Sequence, residues 1–138
     1  MTSKILIIED DRGLCEEMVD ILEDEGYCVN VAFNGYNGKN LIEKNIYDLL
    51  LLDLKLPGLH GLSILKSIKK KDRKPRIIVI TGSHFFMELY KRHWRCENQE
   101  EYLLKFADAV IHKPFEVEKV LVKIKELVGR NQQAITAW

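Results

Sequence analysis

The sequence predicts an α/β domain, a doubly wound five-stranded parallel sheet with helices on both faces, and three observations lead there. Short apolar runs alternate with segments of helical period along the chain, the pattern of repeated strand–helix units joined by right-handed crossovers. One run, Leu49 to Leu52, is apolar at every position, as expected of a strand covered on both faces. Four runs end on a carboxylate, a hydroxyl or a lysine, and open parallel sheets bind ligands just outside the carboxyl ends of their strands.

Taken in order, Lys4 to Ile8 is the first strand and runs into Glu9-Asp10-Asp11. Leu14, Met18, Ile21 and Leu22 then recur at helical spacing, which predicts a helix from Arg12 to Glu25 that Gly26 stops. Cys28 to Ala32 alternates as a strand, punctuated by Asn34-Gly35, and Leu41 and Ile42 mark a second helix. Asp48 leads into the central strand, which ends on Asp53. Pro57-Gly58 and Gly61 form a loop before a third helix through Leu62, Leu65 and Ile68. Its terminal run, Lys69-Lys70-Lys71, reads as a solvated helix end rather than a nucleic-acid patch.

Ile77 to Ile80 is the fourth strand, ending on Thr81, and Ala109 to His112 the fifth, ending on Lys113-Pro114. Between them Phe86, Tyr90 and Trp94 are spaced by four residues, and Tyr102, Leu103 and Phe106 form a second apolar group. That pattern predicts an enlarged fourth helical region, lengthened or doubled, with a break near Asn98. A last helix from Glu116 to Val128 carries Val117, Val120, Leu121, Ile124 and Leu127 on one face and is closed by Gly129.

With 138 residues, 46% of them hydrophobic, the chain suits a single core. Residues 1–130 are read as one domain and 131–138 as a polar tail or linker. Lys plus Arg and Asp plus Glu both number 21, so no global charge draws the domain to nucleic acid or to an anionic membrane. No apolar stretch approaches the ~20 residues of a membrane span, and the N-terminus lacks the pattern of a secretory leader, which reads as cytoplasmic. Three cysteines without a Cys-x-x-Cys pair fit a reducing compartment, with Cys15 and Cys28 expected in the core. His93 to Cys96 lacks a second half at metal-ligand spacing and reads as surface.

The strand termini bring three acids, a hydroxyl and an amine towards one spot. Gathering Glu9, Asp10 and Asp53 is electrostatically unfavourable unless a cation sits among them. All-oxygen donors favour a hard divalent ion, Mg²⁺, and neither Cys nor His is placed to favour zinc. A carboxylate can attack phosphorus to form an acyl phosphate. Phosphoryl transfer needs charge neutralisation and positioning, which Lys113 as a point charge and Thr81 as a hydroxyl donor supply.

Ile-Leu-Ile-Ile-Glu9-Asp10-Asp11, Asp53-Leu-Lys-Leu-Pro57-Gly58, Ile80-Thr81-Gly82 and Lys113-Pro114-Phe115 together resemble the receiver domain of two-component response regulators, over residues 4 to about 128. The resemblance implies a flavodoxin-like sheet of strand order 2-1-3-4-5. It implies Asp53 as phosphoacceptor, Glu9 and Asp10 as the acidic pair that holds Mg²⁺, and the main-chain carbonyl of Lys55 as a further ligand. Thr81 and Lys113 match the switch hydroxyl and the phosphate-binding lysine, and Lys113-Pro114 matches a cis bond. Lys55 and Ser83 fall at positions that tune loss of the phosphoryl group, whereas His60 and His112 read as incidental.

The implied activity is acceptance of a phosphoryl group on Asp53 from a sensor histidine kinase or phosphotransfer protein, followed by slow hydrolysis. Such a domain is a phosphoacceptor switch, catalysing only its own phosphotransfer and dephosphorylation rather than acting as an enzyme. Implied contacts are the kinase and a homodimer through the face of the fourth and fifth helices, with no membrane and no direct nucleic acid. The output, the cognate kinase and whether the chain stands alone or comes from a longer regulator stay open.

The chain departs from the family's pattern twice. Val110 stands where receivers place Tyr or Phe three residues before the lysine, and a valine has no ring to swing. Thr81 and Lys113 are 32 positions apart, roughly ten more than usual. The aromatics of this interval either pack the enlarged helical region on the sheet or offer a contact surface anchored by Trp94. The alternative function is therefore a non-phosphorylated interaction module using residues 83–106. Phosphatases of the haloacid dehalogenase type want a second acid where Lys55 stands, and a flavodoxin phosphate loop would meet repulsion from Glu9-Asp10-Asp11.

Overall fold

The apolar runs become strands whose side chains point alternately to two separate cores. In the computed structural model, which describes residues 2–55, 61–82 and 105–129, the element order is β1 (Lys4–Ile8), α1 (Arg12–Asp24), β2 (Cys28–Ala32), α2 (Gly35–Lys44), β3 (Leu49–Asp53), α3 (Gly61–Lys69), β4 (Arg76–Thr81), β5 (Ala109–His112) and α4 (Val117–Val128). The five strands form one parallel sheet of order β2-β1-β3-β4-β5. Leu6, Ile8, Leu50, Leu52, Ile77 and Val79 pack on the side of α2 and α3. Ile5, Ile7, Leu49, Leu51, Ile78 and Ile80 pack on the side of α1 and α4. Two buried faces explain why β3 reads as unbroken leucine, and every residue of that strand is buried.

The helices begin and stop where short-range chemistry dictates. Asp11, one residue beyond the acidic pair, is the N-cap of α1, and its Oδ1 accepts from the Leu14 N–H at 3.1 Å. Asn34 plays the same part for α2, accepting from Asn37 N–H at 2.8 Å. Asn34-Gly35 thus opens a helix as well as closing a strand. Gly26 adopts a φ of 92°, the left-handed conformation that ends α1. Cys15, Met18 and Leu22 form the buried stripe of α1, with Leu14 and Ile21 half-buried beside it.

Two expectations change. Cys28 is exposed, not in the core, because it opens the edge strand β2, where a neighbouring strand covers one side only. The enlarged helical region and its break near Asn98, including Trp94, fall on positions 83–104, outside the described residues, as do His60, Ser83, Cys96 and the tail 131–138. Among the described residues, no helix is long and apolar enough to cross a membrane.

The approach of α2 to β1 is set by a missing side chain. A Cβ at Gly38 would lie 2.5 Å from Cδ1 and 3.1 Å from Cγ2 of Ile8, which is itself fully buried. Gly38→Ala is therefore expected to destabilise the fold by about 1–3 kcal/mol. Gly13→Ala, whose Cβ would meet only Asp11 Oδ1 at 3.5 Å, is expected to be neutral or slightly stabilising. Urea denaturation of the two variants beside wild type measures both, and equal midpoints for Gly38→Ala and wild type would refute the close-approach argument.

Candidate functional site

Register brings the site residues to one edge of the sheet. Ile8 pairs with Leu52, so Glu9 and Asp10 leave β1 beside Asp53 at the end of β3. Asp53 pairs with Ile80, which puts Thr81 one step further along β4, and Thr81 pairs with His112, the residue before Lys113. The Lys113 N–H donates to the Thr81 carbonyl at 2.8 Å, and the Lys113-Pro114 peptide is cis.

The carboxylates of Glu9, Asp10 and Asp53 each offer an oxygen within 4.8 Å of the others. Glu9 and Asp53 are buried and Asp10 is exposed, so the cluster opens to solvent on the Asp10 side. Lys113 reaches in from β5: its Nζ lies 3.1 Å from Asp53 Oδ2 and hydrogen-bonds Glu9 Oε1. The other Asp53 oxygen, Oδ1, accepts from the Lys55 N–H at 2.9 Å, and Glu9 Oε2 accepts from the Asp10 N–H at 2.9 Å. Thr81 is buried at the same edge. The exposed Lys55 contributes its main-chain N–H to Asp53.

One cation against three acids leaves an excess of negative charge, and the protonation equilibria reflect it. Burial first, then the neighbouring Asp53 carboxylate, raises the pKa of Glu9, with Lys113 opposing. Asp10 is raised by burial and by Glu9. Burial works against the charge on Lys113, yet the Glu9 and Asp53 carboxylates outweigh it and raise the ammonium's pKa above its ordinary value.

The donor chemistry suits a hard divalent ion. Three carboxylates in mutual reach, one of them exposed, match the oxygen preference and retained waters of Mg²⁺. The nearest sulfur does not compete: the Cys15 thiol donates to the Glu9 carbonyl at 3.4 Å, and burial pushes its pKa to about 12, far from a thiolate. Cys15 was expected as core, and its contact with the Glu9 backbone is visible only in three dimensions.

Gly61, the end of the receiver-like stretch that begins at Asp53 and expected as part of a loop, makes a backbone contact at the site. It begins α3, its N–H donates to Leu54 O at 3.3 Å, and a Cβ there would lie 2.8 Å from both Asp53 O and Leu54 Cα. The backbone that presents Asp53 can thus sit under α3 only if this residue has no side chain. A glycine four residues after Pro57 was the available signal, but nothing in the spacing says which backbone it touches.

Comparison with known proteins gives one consistent result. The family described as the response regulator receiver domain matches residues 5–125. The chain is 33% identical over 131 residues to response regulator ArlR of Staphylococcus saprophyticus, covering 95% of this chain and 54% of that protein. It is 33% identical over 122 residues to transcriptional regulatory protein DltR of Streptococcus agalactiae, covering 88% and 50%. The chain spans about half the length of the curated relatives it matches. Among solved structures, the CheY-like receiver domain protein from Methanospirillum hungatei aligns at TM-score 0.73 and 34% identity, covering 91% of this chain and 93% of that one. Response regulator TrrA of Thermotoga maritima, solved in complex with Mg²⁺ and BeF, aligns at 0.71 and 28%, covering 91% and 99%.

Two outcomes follow from this geometry. Because folding raises the pKa values of Glu9 and Asp10 above their ordinary 4.5 and 3.8, the metal-free fold favours their protonated forms. Their contribution to stability is greatest below those ordinary values and is lost as pH rises through the raised ones. Mg²⁺ added near pH 7 is expected to reverse this loss, by about 2.7 kcal/mol at a hundred times its dissociation constant, and to have little effect once acid protonates the cluster. Thermal melts with and without Mg²⁺ across pH 4–8 read this directly, and a Mg²⁺ response independent of pH would contradict it. Separately, Gly61→Ala is expected to weaken Mg²⁺ binding and cost about 1–3 kcal/mol, measured by the same melts with a Mg²⁺ titration.

Proposed function

The chain belongs to the response regulator receiver domain family, and from that premise we propose that it is a phosphoacceptor switch in which Asp53 accepts a phosphoryl group from a sensor histidine kinase or phosphotransfer protein. The observation that carries this reading is the meeting of Glu9, Asp10 and Asp53 within 4.8 Å, with Lys113 bonded to both buried acids.

The chemistry divides among the residues as follows. An Asp53 oxygen attacks the phosphorus of a phosphohistidine; a P–O bond forms, the P–N bond breaks, and the imidazole leaves with the bonding pair and takes up a proton. Oδ1 is engaged by the Lys55 N–H and Oδ2 by Lys113, so the carboxylate is oriented before a donor arrives. Glu9 and Asp10, with the Lys55 carbonyl, would hold Mg²⁺, which when bound would neutralise charge on the transferring group. Lys113 moves its charge from the free carboxylate to a phosphoryl oxygen, and Thr81 donates its hydroxyl to another. Hydrolysis of the acyl phosphate then resets the domain without a separate enzyme.

The switch is read out without the family's aromatic ring. Val110 packs half-buried against the α2–α3 core, so movement of Thr81 passes to β5 through the backbone bond from Lys113 N–H to Thr81 O. Output through a homodimer, or through the transcriptional control named for one relative, belongs to this proposal as its downstream half.

Intact mass after incubation with acetyl phosphate or phosphoramidate tests the reading. A Mg²⁺-dependent gain of about 80 Da, one HPO₃ unit, is expected for wild type and not for Asp53→Asn. No gain under any condition would sink it and favour an interaction module built on residues 83–106.

A further inference from the structure

Residues 66–76 hold seven Lys or Arg, a third of the chain's 21, against one acid, Asp72. A helix C-terminus is satisfied by one or two cations in its last turn, and α3 has Lys66 and Lys69 there. Of the other five, Lys71, Arg73, Lys74 and Arg76 make contacts within the fold, and Lys70 has no ion-pair partner among the described residues. The fold also gathers more cations from distant segments. Helices α2 and α3 run back against the strands, so they end where β1, β3, β4 and β5 begin. Lys71 Nζ hydrogen-bonds the Ile42 carbonyl and lies 3.3 Å from that of Asn45, tying the α3–β4 loop to the end of α2 and the exposed Lys44. Lys69 stands over the Phe106 ring at 5.4 Å, which brings the exposed Lys105 alongside.

Asp72 is exposed within the run, and two other nearby acids are already engaged. Asp108 holds Arg76 at 3.0 Å and the Ile77 N–H at 2.8 Å, and Asp48 holds the Lys4 N–H at 2.7 Å with Arg73 at 3.8 Å. Lys66, Lys70 and Lys105 are exposed and have no ion-pair partner among the described residues. The largest cluster of exposed acids among the described residues, Glu16, Glu17, Asp20, Glu23 and Asp24, stands on α1, on the opposite face of the sheet.

We propose that this basic face, at the end of the sheet remote from Asp53, binds the phosphate backbone of double-stranded DNA without sequence preference. The neutral whole-chain charge and the three-lysine run suggest no such contact, and it is the gathering of Lys44, Arg76 and Lys105 around that run that alters the reading. A duplex presents one charge per ~1.7 Å of axis, matching closely spaced cations on a single face. Adsorption to a membrane surface calls for apolar side chains beside the charge, and the one large exposed apolar residue next to this face among the described residues is Ile46.

Fluorescence anisotropy of a labelled duplex of arbitrary sequence tests the proposal. The wild-type chain is expected to bind at about 50 mM salt and to lose about a hundredfold in affinity by 200 mM, as four phosphate contacts predict. The Lys66→Gln, Lys70→Gln, Lys105→Gln triple variant should bind at least tenfold more weakly, with about three units less salt dependence on a log–log plot, while its Mg²⁺ response in thermal melts stays as in wild type. The corresponding triple Lys→Arg variant should bind as wild type. No anisotropy change for wild type at about 50 mM salt, equal binding by the Gln variant, or retention by anionic phospholipid vesicles in preference to the duplex would each overturn it.

Discussion

The structure depends on holding three carboxylates against their mutual repulsion. Glu9, Asp10 and Asp53 stand close because the strands that deliver them have no freedom to part: β1 and β3 are hydrogen-bonded along four register pairs, and Ile5 to Ile8 and Leu49 to Leu52 are fully buried. Apolar burial in two cores, one on each face of the sheet, stabilises what electrostatics alone would separate. Lys113 relieves part of the strain from the far side by bonding Glu9 and Asp53 together, but it cannot balance three charges. The remaining deficit, visible in the raised pKa values of Glu9 and Asp10, suits the edge to a divalent cation.

Positioning is as strict as the charge. Asp53 is held at both oxygens, and the backbone around it is pinned by α3 through Gly61, which accommodates the Asp53 carbonyl only because it lacks a Cβ. On the other side of the cluster, the Asp11 cap begins α1 two residues after Glu9, and the Cys15 thiol bonds the Glu9 carbonyl. The acids therefore sit where the end of a buried strand meets backbone held by a helix start. A carboxylate fixed in this way loses little further entropy when it attacks a phosphoryl donor.

Most of this was legible in the sequence because the sheet writes itself in a simple code. An apolar run buried on both faces, followed at once by an acid or a hydroxyl, gives both the strand and the site, and Glu9, Asp10, Asp53 and Lys113 meet as that code implies. The errors and omissions have a common cause: they concern what lies next to a residue across space. Cys28 looks like core by type but sits on an edge strand. Gly61 looks like loop but is a point of backbone contact. Asn34 was read as a strand stop, although its side chain also caps the helix that follows.

Charge is partitioned along the strand axis in a way that lets the two ends act separately. The acidic cluster lies beyond the carboxyl ends of the strands, whereas Lys70, Lys74 and Lys105 stand near their amino ends. A five-residue strand separates them by about 17 Å, roughly twice the Debye length of about 8 Å at physiological ionic strength. Exposed lysines at that distance contribute little to neutralising Asp53, which is why Lys113 must come within hydrogen-bonding reach to do so. The converse also holds. Adding a phosphoryl group at Asp53 does not reach the basic face as a field, so any influence of one end on the other must travel as movement of Thr81, β4 and β5 through the packed sheet.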